Sequence, residues 1–268
     1  MATTRDIERG GLAWREAGSG APAAIFLHGL GGSRTAWDDQ LHELSDRRRC
    51  VAWDLPGYGA APPPSGAMTF AVLADTVARL ADAVEPEDRP HLIGLSFGGM
   101  IAQHAVLSHR GRFRSLTLLS SSSAFGLDGT TAADWRAARL APLDAGREPA
   151  DFADEVLRSI AGPGISEQAL AAQRGAMERI GGDALRRSID CLVGHDLRDR
   201  LADIDLPTLV LVGSLDTETP PTYAADIAER VPAARLVEIE GAGHLLAAEA
   251  PDVVNELLRD HFSRAEHA

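Results

Sequence analysis

The sequence predicts an α/β protein, a mostly parallel, doubly wound sheet carrying an inserted helical lid. Three observations predict it. Short apolar, β-rich runs alternate with longer amphipathic segments. Most of these runs are nearly continuous in apolar residues, as strands are when helices cover both sheet faces. One stretch, residues 123–201, breaks the alternation and holds helical patterns alone.

The elements follow in order. The segment around Gly11 to Glu16 reads as antiparallel edge strands. Ala23–Leu27, Cys50–Trp53, His91–Leu95, Ser115–Leu119, Leu209–Val212 and Arg235–Ile239 read as the remaining strands. Between them Phe70, Leu73, Val77, Leu80 and Val84 recur at helical spacing. Val254, Leu257, Leu258 and Phe262 form a second stripe behind Pro251, a helix-start proline. Alternation of this kind implies right-handed crossovers and a parallel sheet. In the odd stretch, Ala132–Leu143, Asp151–Ile160, Ser166–Ile180 and Asp183–Val193 are candidate helices, punctuated by Gly162-Pro163-Gly164 and Gly181-Gly182. The division expected is therefore a core of residues 1–122 and 202–268, with a helical lid at 123–201.

Composition narrows the function. The chain has 268 residues, 45% hydrophobic and 24% charged, enough for a large core without staples. A net charge of -13 argues against nucleic acid and anionic membrane surfaces as partners. Cys50 and Cys191 stand far apart in no CxxC arrangement and read as buried thiols. Met1 to Gly10 lacks the apolar core of a signal peptide, and no apolar run has the length of a membrane span. A cytoplasmic location is the resulting expectation.

Chemistry concentrates at four places. Gly94-Leu95-Ser96-Phe97-Gly98 is a G-x-S-x-G sequence between an apolar strand and a helix. A serine on such a turn is held in a strained conformation with its hydroxyl clear of the sheet, and the flanking glycines leave room for the turn. The competing reading is a glycine-rich turn with an incidental serine. His28-Gly29-Leu30-Gly31-Gly32-Ser33 follows a strand, and acyl transfer needs two backbone N–H donors for an oxyanion. Phe97 and Leu30 are the candidates. A dinucleotide fingerprint fails here because Arg34 stands where the third glycine belongs. No Walker, HExxH or CxxC sequence occurs, so neither a metal nor an organic cofactor is expected.

Asp216 lies just past the Leu209–Val212 strand, and His244 just past Arg235–Ile239. Catalytic groups gather at the carboxyl ends of strands in open α/β sheets, and Ser, Asp, His is the chain order of a nucleophile-elbow triad. Asp203, Asp205 and Glu218 are nearby alternative acids, the first two preceding the strand. His42, His104, His109 and His261 fall on helices, His195 in the lid, His267 in the tail and His91 at the wrong end of a strand. For the substrate pocket the candidates are His28, Trp135, Arg139 and Leu245, with Phe152 and the Ser120–Ser123 run. Arg136 and Arg139 could bind a substrate carboxylate or be solvated, and Trp135 and Phe152 could equally be lid core.

Together HGLGGSRTAW (28–37), DLPGYG (54–59), GLSFGG (94–99), LVGSLDTETPP (211–221) and GAGHLLAAEAP (241–251) identify a resemblance to the α/β-hydrolase family over essentially the whole chain. Within it, HDLRDRLADI and PTLVLVGSLDTETPP look like bacterial 3-oxoadipate enol-lactonases and related lactone or ester hydrolases. The resemblance implies an α/β-hydrolase fold, a lid over the pocket and a triad of Ser96, Asp216 and His244. The expected function is hydrolysis of a small carboxylic ester or lactone through an acyl-enzyme. Three other readings share the motifs: carbon–carbon hydrolases of meta-cleavage products, cofactor-free perhydrolases and non-catalytic, receptor-like members. The first group typically carries a proline–glycine pair in the oxyanion loop and a tryptophan after the catalytic histidine. Here the loop is HGLGGS and the residue is Leu245, and both departures disfavour carbon–carbon cleavage. An aspartate nucleophile, as in haloalkane dehalogenases, is excluded by Ser96.

Overall fold

The structure is a computed structural model that describes residues 3–232 and 234–267. Met1 and Ala2, the start of the segment read above for a leader, lie outside the described residues. Eight strands form one sheet: β1 (Arg5–Arg9), β2 (Leu12–Ala17), β3 (Ala24–Leu27), β4 (Cys50–Trp53), β5 (His91–Leu95), β6 (Ser115–Leu119), β7 (Thr208–Gly213) and β8 (Ala234–Ile239). Their spatial order is β1-β2-β4-β3-β5-β6-β7-β8. β1 and β2 pair antiparallel with their neighbours, and every pairing from β4 to β8 is parallel. Strands β3 to β7 are buried along their length, whereas the edge strands β1 and β8 are partly exposed.

Strand alternation sends neighbours to opposite faces. Ile25, Leu27, Val51, Trp53, Val210 and Val212 join one apolar core, while Ala24, Phe26, Cys50, Ala52, Leu209 and Leu211 join the other. The helices divide the same way. α1 (Asp38–Leu44) packs into the second core, and α2 (Phe70–Val84) and α3 (Phe97–Ser108) into the first. Thr69 caps α2 by accepting from the Val72 N–H.

Between β6 and β7 the chain forms α4 (Ala132–Asp144), α5 (Pro149–Ile160), α6 (Glu167–Met177) and α7 (Gly182–Leu192). These match the four helical patterns closely, except that Gly182 opens α7 rather than lying in a loop. Glu148 and Asp151 form a capping box on α5 with Pro149 in its first turn. The two stems of this insertion are stitched together by Phe125 N–H to His195 O at 2.8 Å and Leu197 N–H to Ser123 O at 2.9 Å. After β7 come α8 (Pro221–Arg230), α9 (Leu246–Glu249) and α10 (Pro251–Glu266), two of them starting at prolines. Cys50 and Cys191 are buried free thiols, and burial pushes both up to about 12. No helix among the described residues is long and apolar enough to cross a membrane.

Candidate functional site

Ser96 stands alone between the end of β5 and the start of α3, at φ 52° and ψ −117°. Only one other described non-glycine residue, Ser120, has positive φ. Left-handed backbone at serine costs energy and persists only where the surroundings enforce it. Here they do. The Ser96 N–H donates to Leu119 O at 2.8 Å, and Ser121 Oγ–H donates to Ser96 O at 3.0 Å. Gly98 is required because an added Cβ would strike the carbonyl oxygens of Leu27 and His28.

Phe97 is the first residue of α3, so its N–H has no partner within the helix and lies at the positive end of the dipole. The loop after β3 lies against the same turn. A Cβ on Gly29 would come within 3.3 Å of Ser96 Cβ, so the Gly29–Leu30 backbone runs directly beside the serine. His28 shapes that loop. It is fully buried, stacks on Tyr58 at 5.5 Å, donates through Nδ1 to Gly29 O and accepts at Nε2 from the Leu55 N–H. Burial, the largest influence, lowers its pKa, and the ring is neutral. Asp54 anchors the far end of the loop by accepting from the Arg34 N–H at 2.9 Å, with the buried Arg34 guanidinium 3.5 Å away.

His244 Nδ1–H meets both oxygens of Asp216 at 3.0 Å. Of the alternative acids, Asp203 pairs with Arg200 and Glu218 with Arg139. Asp216 is 3% exposed and accepts further bonds from the Glu218 N–H, the Thr219 N–H and Thr219 Oγ1. Burial is the strongest influence on its carboxyl and works upward, yet the His244 charge and these donors outweigh it and hold the pKa below the ordinary value. At His244 burial again weighs most, against the cation, and the Asp216 charge and hydrogen bond reverse it, so the pKa lies above its ordinary value. With Nδ1 committed to Asp216, Nε2 is the ring nitrogen left to take a proton.

Ser96 and His244 line one cavity of about 330 Å³, together with His28, Leu30, Trp135, Arg139 and Leu245. Helix α5 contributes Phe152, Val156 and Ile160 to its wall, and Trp135 stands edge-on to Phe125 at 5.4 Å. Of the Ser120–Ser123 run only Ser122 lines the cavity, since Ser121 supports Ser96 and Ser123 pairs with Asp226. Of the two arginines considered for a substrate carboxylate, Arg136 pairs with Asp190, and Arg139, on the cavity wall, pairs with Glu218 at 2.5 Å. Two supporting residues escaped the sequence reading. Thr219 holds Asp216, and Glu249 accepts from Gly243 and Leu245, the neighbours of His244. The only sequence signal for either was its place inside a matched motif.

Comparison with known proteins gives the arrangement a context. A model of the alpha/beta hydrolase family matches residues 24–257. A pimeloyl-[acyl-carrier protein] methyl ester esterase from Aeromonas hydrophila is 31% identical over 255 residues, covering 90% of this chain and 95% of that one. Among solved structures, a hydrolase from Pseudomonas aeruginosa superposes with a TM-score of 0.84 at 28% identity, covering 97% of this chain and 98% of the other. The enol-lactonase from Burkholderia xenovorans has the same TM-score at 23% identity, covering 97% and 100%, and shares the fold.

Proposed function

Because the chain belongs to the alpha/beta hydrolase family, we propose that it is a serine hydrolase that cleaves small carboxylic esters or lactones through an acyl-enzyme. Ser96 Oγ attacks the carbonyl carbon while His244 Nε2 takes its proton. Asp216 keeps the Nδ1–H tautomer and stabilises the imidazolium that forms. The N–H groups of Phe97 and Leu30 receive the developing oxyanion, supported by the amino terminus of α3. His244 then protonates the leaving group, and a water attacks the acyl-enzyme with the same histidine as base. In this reading residues 123–201 are a lid that walls the pocket and excludes bulk water.

One observation carries the proposal. A serine held at positive φ on a strand-to-helix turn shares a cavity with a histidine whose far nitrogen is bound to a buried carboxylate. The esterase and enol-lactonase named above act on ester and lactone bonds, which supports this substrate class. The test is covalent labelling with an alkyl fluorophosphonate, followed by mass spectrometry of the modified peptide. Labelling at Ser96, abolished in folded Ser96→Ala along with ester hydrolysis, is the expected result. Near wild-type hydrolysis by folded Ser96→Ala would remove Ser96 from the mechanism.

A further inference from the structure

The charged groups around the cavity restrict what enters it. Among the described lining residues the cation is Arg139, and the carboxylates are Glu218, which pairs with it, and the exposed Asp128 and Glu155, the latter paired with Arg147 at 3.4 Å. Arg139 is committed. Its guanidinium binds Glu218 at 2.5 Å and lies 5.4 Å over the Trp135 ring, with arginine and glutamate side chains each about 30% exposed. Glu218 is fixed by its own backbone, because its N–H donates to Asp216 Oδ1. The remaining wall is largely aliphatic or aromatic and includes Leu30, Phe152, Val156, Ile160 and Met177.

A substrate bearing a free carboxylate would therefore shed its hydration against the apolar wall and gain no unpaired cation. An uncharged acyl group meets none of these costs and gains about 0.8 kcal/mol for each methylene it buries. We infer that the site is selective for uncharged esters and lactones with an apolar acyl part and discriminates against substrates carrying a free carboxylate, and that the Arg139–Glu218 pair is its specificity determinant. The inference rests on the hydrolase reading above and narrows it. Enol-lactones derived from dicarboxylic acids retain a carboxylate and fall on the rejected side.

The test compares p-nitrophenyl hexanoate with mono-p-nitrophenyl adipate, which differ at the chain end by methyl against carboxylate. The wild-type protein is expected to favour the neutral ester by on the order of a hundredfold in kcat/KM, the scale of an unpaired buried charge. Glu218→Gln releases Arg139 and is expected to narrow that ratio by about tenfold, as one new charge-assisted contact would. Comparable or better hydrolysis of the adipate by wild type would overturn the inference and leave the hydrolase reading intact. An unchanged ratio in Glu218→Gln would overturn the role given to the Arg139–Glu218 pair. If neither ester is hydrolysed and the fluorophosphonate leaves Ser96 unmodified, both readings fall.

Discussion

Glu249 grips the backbone on both sides of His244, its carboxylate accepting from the Gly243 N–H at 2.7 Å and the Leu245 N–H at 2.9 Å. The same carboxylate accepts from the Gly162 N–H at 2.9 Å, while His244 N–H donates to Ile160 O at 3.0 Å. Glu249→Ala leaves three N–H groups without their acceptor. The expected cost is about 1–3 kcal/mol of stability. Turnover is expected to fall on the order of 10–100-fold, because a displaced imidazole loses alignment with Ser96. Thermal melts and ester kinetics check both, and wild-type values in each would show that the grip is dispensable.

Asp216→Asn is expected to lower kcat by about 10²–10⁴, since an amide permits the wrong histidine tautomer. Glu218→Gln is expected to lower kcat for the neutral ester far less than Asp216→Asn, because its contact to Asp216 runs through the backbone N–H. If Glu218→Gln proved the more damaging, Asp216 would not be the orienting acid.

The pH profile follows from the opposed influences on His244. Its pKa lies above the ordinary 6.5, so the neutral base is lost as pH falls through a value higher than that. The acidic limb of kcat/KM is expected to have its midpoint above about 6.5. In Asp216→Asn the attraction is gone while burial remains, and the limb should move to lower pH. Profiles between about pH 5 and pH 9 decide it. A limb that stays in place in Asp216→Asn would mean that another group is titrating.

Asp54→Ala should destabilise the protein by about 2–4 kcal/mol, because the Arg34 guanidinium, 4% exposed, loses its buried partner and keeps only the half-exposed Asp6 at 3.3 Å. The Arg34 and Ala60 N–H groups lose an acceptor as well. A fall in melting temperature of roughly ten degrees is the expected reading. A loss under about 1 kcal/mol would place the loop's stability elsewhere, in His28 and Tyr58.

What the sequence revealed and what it hid divide along a physical line. Strands such as Ser115–Leu119 were legible because burial on both faces demands unbroken apolar runs, and α5 because its apolar positions recur at helical spacing. Ser96 was legible because its turn demands glycines at fixed offsets. Glu249, Thr219 and the Arg139–Glu218 pair were not. Each is an ordinary polar residue whose role depends on which backbone or side chain the fold brings within 3 Å, and no spacing rule encodes that approach. Arg139 illustrates the point: helix position alone could not tell a solvated arginine from a ligand-binding one, and the structure shows a third state, paired across to the loop after β7.

The bonds from Ile160 and Gly162 to the His244 loop also bear on how such a protein can be remodelled. Exchanging residues 123–201 wholesale for the corresponding segment of another protein would remove one of the supports of the histidine along with the pocket wall. A graft would have to reproduce the carbonyl at 160 and the N–H at 162 in register before it could show any new selectivity. Replacing side chains on the cavity faces of α4 to α7 leaves both bonds in place. Point changes on a fixed backbone are the route open to both natural drift and the engineer.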